Sequence, residues 1–306
     1  MSCFKCSKSV AAHDMKYGLH AACFSRWFET DHFAEFENII PRAVGSNDPG
    51  SQDEKFSQVA SSFFQGKFKK YSANLGKKSF LLKVQEEGYL ELPQTEYLCN
   101  QIADMLGILI PKYYLIAFNN QIPTFVCENF MHEEQVANLI HIYHFLDDPK
   151  DYNCEALYRI VLEKTQKLSD AERLIEVTLF DALIGNHDRH GRNLGLIQSK
   201  KGFRLSPIYD NPSYLGIEQE AFINAQLEPR GRIATQSTDD PTIKDYVLEW
   251  KRLGLEKRVV SFYKEIKIEK LLRKIDSSFL RANRKSAFKR LISKRYEEYS
   301  NAITER

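Results

Sequence analysis

Short apolar or alternating segments follow one another through the first half of the chain, and most are rich in aromatic and β-branched residues. Gly and Asn-Asn breaks separate them, a pattern that is typical of antiparallel strands. The predicted strands are residues 63–75, 78–85, 113–118 and 123–130. Among them, the apolar residues between 98 and 106 have helical spacing, and Gly107 marks the predicted end of that helix. The pattern therefore predicts a sheet over roughly residues 55–130 that carries one helix.

After residue 131 the apolar residues recur at three- and four-residue intervals, which predicts amphipathic helices. The first two are expected at residues 155–166 and 169–185, the second with Ser169 as its N-cap and Gly185 at its end. A strand-like segment at residues 193–197 follows, and the helical pattern resumes at residue 241.

The length of the chain agrees with two lobes, because 306 residues exceed what one simple core usually holds. A small β-rich lobe at residues 1–130 and a larger helical lobe at residues 131–306 predict a two-lobed α+β fold. Hydrophobic residues make up 43% of the chain and charged residues 27%, which is ordinary for a soluble globular protein and excludes a disordered chain as the default.

The hydrophobic pattern predicts neither insertion into a membrane nor export through a signal peptide. No apolar run approaches the roughly 18 residues that a membrane-spanning helix needs. Residues 1–18 contain no apolar core of the signal-peptide type. The sequence therefore predicts a cytoplasmic protein without a membrane partner, while delivery into a host cell by a secretion system that reads other signals stays open.

Positive charge is concentrated towards the end of the chain, although the formal net charge of the whole is only +2. Residues 251–295 contain 16 Lys or Arg and four acidic residues, a local net of +12, so the remaining residues sum to −10. Such a segment can bind nucleic acid, a tRNA-carrying partner or an acidic protein surface. It can also be the solvated face of amphipathic helices, which the helix-packing spacing of its aromatic residues favours. These residues are Phe262, Tyr263, Phe279 and Phe288.

Three cysteines and a histidine near the start of the chain have the spacing of a metal site. Cys3 and Cys6 form one pair of soft ligands, and His20 and Cys23 form a second pair after an interval of thirteen residues. Two such pairs can close a tetrahedral zinc site, which would be structural because four protein ligands leave no position for water. The alternative is a set of reduced cysteines that fix the first helix to the rest of the protein.

The segment GNHDRHGRNLGLI, residues 185–197, concentrates polar side chains where a predicted helix leads into a predicted strand. Phosphoryl transfer needs a carboxylate that accepts the proton of the attacking hydroxyl, and oxygen ligands that hold Mg²⁺ against the nucleotide. Asp188 and Asn193 have the base-then-metal spacing of a kinase catalytic loop, and Asp210 follows in the position of a second metal ligand. A polar turn capped by Asn186 and Asp188 is the simpler alternative, but it leaves Asn193 and Asp210 unexplained.

These residues resemble the motifs of the HipA-like serine/threonine kinases. NHDRHGRN resembles the N-x-D-x-H-x-x-N motif of that family, and SPIYDNPS resembles its Y-D motif. The resemblance extends over most of residues 60–216 and implies a protein-kinase-like fold with ATP bound between the lobes. It implies Asp188 as the catalytic base, Asn193 and Asp210 as ligands of Mg²⁺, and His190 as part of the nucleotide site.

The phosphate loop of that family also has a counterpart. SSFFQGKF resembles the loop, and the resemblance implies that the ATP phosphates contact Ser62, Gln65 and Lys67. Phe63 stands where the family has glycine, a departure that hinders close approach of the backbone to the phosphates. Related kinases autophosphorylate in this loop, which makes three serines candidate acceptors, although they can equally be small loop residues. The candidates are Ser57, Ser61 and Ser62.

Two further motifs of the first lobe complete the resemblance. SFLLKV offers Lys83 to neutralise phosphate charge, and QTEYLCNQIADMLGI offers Glu96 to orient that lysine. FVCENF resembles the hinge, which implies that adenine binds the main chain around Glu128 and Phe130. Asn129 replaces the hinge arginine of the family.

The resemblance is greatest to the short, HipT-like toxin kinases and implies a cellular role. The implied substrate is a protein, by resemblance an aminoacyl-tRNA synthetase, whose phosphorylation inhibits translation. A small antitoxin encoded alongside is the implied partner.

Two other functions stay open on the sequence. DRHGRN also matches the D-R-H-x-x-N motif of phosphoinositide kinases, but those lipid kinases follow it with an aspartate in a D-F-G setting, whereas Asp210 lies in YDNP. A pseudokinase that only binds nucleotide, or a partner, is the second alternative. The presence of Asp188, Asn193 and Asp210 argues against it.

Overall fold

The computed structural model describes residues 2–42, 70–131, 137–217 and 228–305. The chain divides into two compact units, and each is described by itself. One unit is formed by residues 1–97 and 111–135, and the other by residues 98–110 and 136–306. Residues 98–110 therefore group with the helical unit, although they precede the boundary that the sequence pattern predicts.

The first unit is built on an antiparallel sheet. Its strands and helices, including one helix that continues past residue 97, are β1 (Met15–Lys16), β2 (Leu19–His20), α1 (Ala21–Phe28), β3 (Glu37–Arg42), β4 (Lys70–Leu75), β5 (Lys78–Val84), α2 (Leu92–Met105), β6 (Tyr113–Phe118) and β7 (Ile122–Glu128). The main sheet has the order β3-β4-β5-β7-β6, and β1 and β2 form a separate hairpin. The predicted strands at 78–85, 113–118 and 123–130 are confirmed to within a few residues. Of the first predicted strand, 63–75, the part at 70–75 is confirmed.

Aromatic side chains from α1 pack against the sheet and form the core of the first unit. The ring of Phe28 lies 4.4 Å from the ring of Tyr114 on β6 and 5.7 Å from that of Phe80 on β5, measured between centroids. Phe24, one turn earlier, is fully buried beside them. Such aromatic pairs contribute about 0.5–1.5 kcal/mol each beyond the burial of their area, so the N-terminal helix is an integral part of this unit.

The second unit is mainly helical and contains a small antiparallel sheet. Its elements are β8 (Ala137–His141), α3 (Cys154–Thr165), α4 (Leu168–Ile184), β9 (Gly195–Ser199), β10 (Gly202–Leu205), α5 (Tyr214–Ile217), α6 (Ile243–Arg252), α7 (Glu256–Glu265), α8 (Ile268–Asp276) and α9 (Ala282–Thr304). The sheet has the order β10-β9-β8.

Helix α4 forms the centre of the second unit, because every residue from Leu174 to Ile184 is buried. Its sequence LIEVTLFDALI is apolar on nearly every side, as expected for a helix that is enclosed by others. Trp250 on α6 is fully buried, and its Nε1 donates a hydrogen bond of 2.9 Å to Thr178 Oγ1 on α4. The C-terminal end of α4, where the polar loop begins, is thereby held in a fixed position.

The predicted N-cap of α4 is wrong. The helix begins at Leu168 with Lys167 at the N-cap position, so Ser169 lies inside the first turn. The preceding helix ends at Thr165 with Gln166 in the left-handed conformation, and the N–H of Lys167 donates to Thr165 Oγ1 at 3.2 Å, so the next helix begins directly afterwards. The predicted C-terminal end is confirmed, since Gly185 adopts the left-handed conformation with φ of 71°.

The basic segment 251–295 lies mostly on α7, α8 and α9, and part of its charge is paired with acidic residues from elsewhere in the chain. Arg258 Nε, for example, lies 2.9 Å from Glu176 Oε1 on α4. Phe262 and Phe288 are fully buried in the core, so they serve helix packing, as their spacing indicates.

Among the described residues, no helix combines the length and the apolar character that crossing a bilayer requires.

Candidate functional site

The candidate site of the second unit begins where α4 ends. Gly185 ends the helix, and its carbonyl accepts a hydrogen bond of 3.0 Å from the N–H of Tyr214. A Cβ at this position would lie 2.8 Å from Tyr214 Cδ1 and would strain the left-handed backbone. Glycine is therefore required here, and it turns the chain sharply into the polar loop that precedes β9.

A buried ion pair lies beneath this loop. The guanidinium group of Arg189 donates from Nε to Asp181 Oδ2 at 2.8 Å and from Nη2 to Asp181 Oδ1 at 2.9 Å. Asn186 Nδ2 donates a further bond of 2.8 Å to the same carboxylate. Burial disfavours the charge of Arg189, but Asp181 outweighs this effect and raises the pKa of the guanidinium above its ordinary value. The guanidinium therefore stays charged, and its bonds to Asp181 join the last turn of α4 to the loop.

Arg189 also holds two other segments of the site. Its Nη1 donates to the carbonyl of Asn193 at 3.0 Å and to the carbonyl of Tyr209 at 2.7 Å. Its Nη2 donates to Asn211 Oδ1 at 2.6 Å. A guanidinium group has five N–H donors, and five bonds are formed. The loop after α4 and the segment around residue 210 are thus fixed to one side chain.

Asp188 and Asn193 are linked directly across the loop. Asn193 is buried, and its Nδ2 donates a hydrogen bond of 2.9 Å to the carbonyl of Asp188. The N–H of Asp188 donates to Asn186 Oδ1 at 3.0 Å. The Asp188 side chain is 45% exposed. Its main chain is therefore fixed, whereas its carboxylate is open to solvent and can meet a substrate.

Asp210 has an unusual backbone conformation. Its φ is +56°, a left-handed value that non-glycine residues seldom adopt but that Asp and Asn tolerate best. The residues on either side, Tyr209 and Asn211, are both buried and both bound by Arg189. The neighbouring bonds thus hold Asp210 in this conformation, as is often found at functional sites.

His190 lies in the same electrostatic environment as the two aspartates. Its Nε2 is 3.8 Å from Asp188 Oδ1. Burial lowers the pKa of the imidazole below its ordinary value, although the charges of Asp188 and Asp210 act in the opposite direction. His190 is therefore neutral at neutral pH and offers one N–H donor rather than a positive charge.

Replacing Arg189 with methionine is expected to destabilise the second unit by about 3–5 kcal/mol, because it leaves the carboxylate of Asp181 buried without its cation. Denaturant unfolding of the variant and the wild type measures this difference. Arg192→Met is the matched control, since Arg192 is exposed in the same loop and should change stability by less than about 0.5 kcal/mol. Equal effects of the two substitutions would contradict the role of Arg189 as the centre of the loop.

In the first unit, Lys83 and Glu96 form a buried ion pair. Lys83 Nζ on β5 lies 2.5 Å from Glu96 Oε1 on α2, and both side chains are at most 4% exposed. The ammonium group also lies 5.7 Å from the centroid of the Phe125 ring on β7. Ion pairs of this kind are costly to desolvate, so their presence in a core favours a role other than stability.

The candidate hinge begins at Glu128, the last residue of β7, and continues to Phe130. The N–H of Glu128 donates to the carbonyl of Lys112 at 2.8 Å, and the N–H of Asn129 donates to the carbonyl of Ser79 at 2.9 Å. The Glu128 carboxylate accepts from Tyr114 Oη at 3.3 Å. The N–H groups of Glu128 and Asn129 are thus already hydrogen-bonded to neighbouring carbonyls. An adenine base would have to bind other main-chain groups, such as those of Phe130.

The predicted phosphate loop lies outside the described residues. This applies to all of its candidate residues, which are Ser57, Ser61, Ser62, Gln65 and Lys67.

The four predicted zinc ligands come together in the first unit. One ligand atom from each of Cys3, Cys6, His20 and Cys23 lies within 4.8 Å of the others. Burial opposes ionisation of Cys3, but backbone hydrogen bonds from Cys6 and His20 outweigh it and lower the pKa of the Cys3 thiol to about 7. Burial raises the pKa of the Cys23 thiol to about 11, with hydrogen bonds to Cys3 and Cys6 adding to the effect.

Sequence reasoning missed the residues beneath the loop. The sequence motifs do not indicate a role for Asp181 or Asn211, and they do not distinguish Arg189 from the other residues of the loop. The one available signal is an aspartate in the last turn of a helix whose second half is mostly apolar, since a buried carboxylate must have a partner.

Comparison with known proteins identifies relatives of this chain. A model of the family described as HipA-like C-terminal domain matches residues 53–282. A Haemophilus influenzae protein that is named as a candidate kinase is 27% identical over an alignment of 151 residues, and the match covers 43% of this chain. The match spans 44% of that relative, which is less than half of its length.

Two solved structures resemble the fold. The proinflammatory kinase CtkA of Helicobacter pylori matches with a TM-score of 0.62 at 17% identity, over 76% of this chain and 94% of that chain. HipA of Shewanella oneidensis, solved with HipB and operator DNA, matches with a TM-score of 0.50 at 15% identity, over 72% of this chain and 58% of that chain. At such identities the likeness concerns the fold, and it confirms the predicted two-lobed, kinase-like α+β fold. Since the family match covers more than half of the residues, the chain belongs to the family of the HipA-like C-terminal domain.

Proposed function

We propose that this protein is an ATP- and Mg²⁺-dependent serine/threonine protein kinase of the HipA/HipT type. The observation that carries the proposal is the set of five hydrogen bonds made by Arg189, which ties the Asp188–Asn193 loop to the segment of Asp210. A polar turn that only capped a helix would not need a buried cation bound to both segments. Two segments fixed to one side chain can present a base and two metal ligands in constant register.

Asn193 and Asp210 have donor atoms that fit Mg²⁺, which prefers oxygen ligands. The amide nitrogen of Asn193 is occupied by the Asp188 carbonyl, so the oxygen Oδ1 is the atom that remains for a metal. Asp210 supplies a carboxylate. Its backbone is left-handed, and the residue is partly exposed, whereas Tyr209 and Asn211 on either side are buried. When bound, Mg²⁺ and ATP supply charge neutralisation and the γ-phosphoryl group.

Asp188 acts as the base in this proposal. The hydroxyl oxygen of a substrate serine or threonine forms a bond to the γ-phosphorus while the bond to the β,γ-bridging oxygen breaks, and the hydroxyl proton passes to the carboxylate of Asp188. Its main-chain bonds to Asn186 and Asn193 fix the position of the residue. Neutral His190 belongs to the nucleotide site as a hydrogen-bond donor.

For residues of the first unit, the proposed roles rest on the family resemblance of the motifs. Lys83 neutralises phosphate charge, and Glu96 orients the lysine through the bond of 2.5 Å. Adenine binds main-chain groups of the segment from Glu128 to Phe130. The phosphate loop supplies Ser62, Gln65 and Lys67, and one of its serines, Ser57, Ser61 or Ser62, is the site of autophosphorylation.

We further propose an aminoacyl-tRNA synthetase as the protein substrate, so that phosphorylation inhibits translation, with a small antitoxin as the partner that restrains the kinase. The support is the resemblance of the motifs to the short toxin kinases of this family. The Shewanella oneidensis HipA structure contains HipB, which makes a partner of that kind plausible for a family member.

Phosphoproteomics of cells that produce the wild type or Asp188→Ala tests the proposal. The wild type is expected to add phosphate to serine or threonine of a synthetase and to lower incorporation of labelled amino acids, whereas the variant should do neither. Labelled phosphoinositides without labelled protein would indicate the lipid-kinase alternative. ATP binding without any phosphorylated product would indicate a pseudokinase.

A further inference from the structure

A cluster of thiol and imidazole groups near the start of the chain has the dimensions of an occupied metal site. Cys6 Sγ lies 3.5 Å from His20 Nδ1, and Cys23 Sγ lies 3.8 Å from the same nitrogen. A tetrahedron with Zn–S bonds of about 2.3 Å and a Zn–N bond of about 2.0–2.1 Å has S···N edges of about 3.5 Å. The two S···N separations are thus close to those that one ion would impose, and all four ligand atoms lie within 4.8 Å of one another.

The backbone explains why the four residues meet. Cys3 and Cys6 lie in a tight turn closed by two hydrogen bonds, from Ser7 N–H to the Cys3 carbonyl at 2.8 Å and from Cys3 N–H to the Lys8 carbonyl at 2.9 Å. The hairpin β1–β2 then returns the chain, so that His20 stands at the N-cap of α1. Cys23 follows in the first turn of that helix, which brings it to the same point.

His20 is oriented as a metal ligand. Its Nε2 lies 2.9 Å from the carbonyl oxygen of Ser9 and must donate to it, because a carbonyl only accepts. The unprotonated nitrogen of a neutral imidazole is then Nδ1, the atom that faces both sulfurs. A backbone carbonyl that fixes the tautomer of a ligating histidine is typical of metal sites.

We propose that Cys3, Cys6, His20 and Cys23 bind one Zn²⁺ in a closed structural site. Three thiolates and one imidazole suit zinc in tetrahedral geometry. All four positions are taken by protein, so the ion holds structure and does not activate water. A disulfide explains the cluster less well, because it would use two sulfurs and leave His20 and the third cysteine without a function.

The site would stabilise the packing of the N-terminal segment on the first unit. Leu19 and Phe24, which flank His20, are fully buried in the aromatic core. The carbonyl of Tyr17 accepts a hydrogen bond of 2.8 Å from Ala117 N–H on β6. Zinc would connect the turn at Cys3 to this segment, and its binding free energy would become folding free energy of the unit.

Metal analysis of the full-length protein, purified with a thiol reductant and without added metal, tests the proposal. We expect one zinc ion per chain, and visible absorption bands of tetrahedral thiolate coordination when Co²⁺ replaces it. Cys6→Ala and Cys23→Ala should lose most of the bound zinc. Cys154→Ala is the control and should keep it, because Cys154 is buried on α3, away from the cluster.

Thermal unfolding of the wild type gives a measurement that does not depend on variant folding. A strong chelator should lower the melting temperature, and Zn²⁺ but not Mg²⁺ should restore it. Reduced protein that carries no zinc and gives no Co²⁺ spectrum would overturn the proposal, as would a Cys6–Cys23 disulfide in the native protein. Stoichiometric iron in place of zinc would overturn the choice of metal.

Discussion

Asp188→Asn is expected to lower the rate of phosphoryl transfer by about 10²–10⁴-fold, the usual contribution of a general base. The side chain keeps its size, and the main-chain bonds that fix it, to Asn186 and Asn193, do not involve the carboxylate. Affinity for Mg-ATP should therefore change by less than about tenfold, or about 1.4 kcal/mol. Single-turnover transfer from γ-labelled ATP, together with calorimetry of Mg-ATP binding, separates the two quantities.

The matched control for this substitution is Asp240→Asn. Asp240 is an exposed aspartate of the same unit, so its loss should leave both transfer and binding unchanged. If Asp188→Asn retained the wild-type rate, or lost Mg-ATP binding in parallel with transfer, the assignment of Asp188 as the base would be wrong.

Asp210→Asn is expected to reduce Mg-ATP affinity by about 10–100-fold, equivalent to about 1.4–2.8 kcal/mol. Asparagine tolerates the left-handed backbone of this position as well as aspartate does, so the substitution removes a charged metal ligand without straining the chain. Affinity for ATP in the presence of a chelator should change little, because the carboxylate acts through the metal. Calorimetry with and without Mg²⁺ measures both affinities.

The Asp188→Asn variant serves as the internal control for that experiment. It removes one negative charge from the same site, and we expect it to retain the increase in ATP affinity that Mg²⁺ causes. If Asp210→Asn retained the same increase, Asp210 would not be a metal ligand, and the structure of its segment would need another explanation.

The sequence pattern predicts a strand or helix where a segment carries a clear run or period of apolar residues. The strands at β5, β6 and β7 and the helices α3 and α4 were predicted because each carries several periods of apolar residues. The short strands β8 and β10 were missed because neither carries a continuous apolar run, whereas β9, of the same length as β8, was predicted from the apolar run around residues 194–197. Residue type alone favours Ser169 as the N-cap, but the left-handed turn at Gln166, which ends the preceding helix, allows the next helix to begin already at Leu168.

The candidate site was predictable only in part. The spacing of Asp188, Asn193 and Asp210 carried the hypothesis, because ligand type and order are properties of the sequence. The role of Arg189 was not predictable, since the sequence gives no difference between it and Arg192 three positions later. Arg189 is 1% exposed and donates five hydrogen bonds, whereas Arg192 is exposed at the surface. Burial of a charge depends on the tertiary fold.

The central claim is that the loop after α4 and the segment of Asp210 together transfer a phosphoryl group from ATP. The most direct measurement is a single-turnover reaction of the purified wild type with γ-labelled ATP, with Mg²⁺ or with chelator. We predict that ADP forms and label enters serine or threonine of protein only when Mg²⁺ is present. At saturating Mg-ATP, Asp188→Asn should form both products about 10²–10⁴-fold more slowly than the wild type. Label that stays in ATP although the wild type is saturated with Mg-ATP would contradict the account.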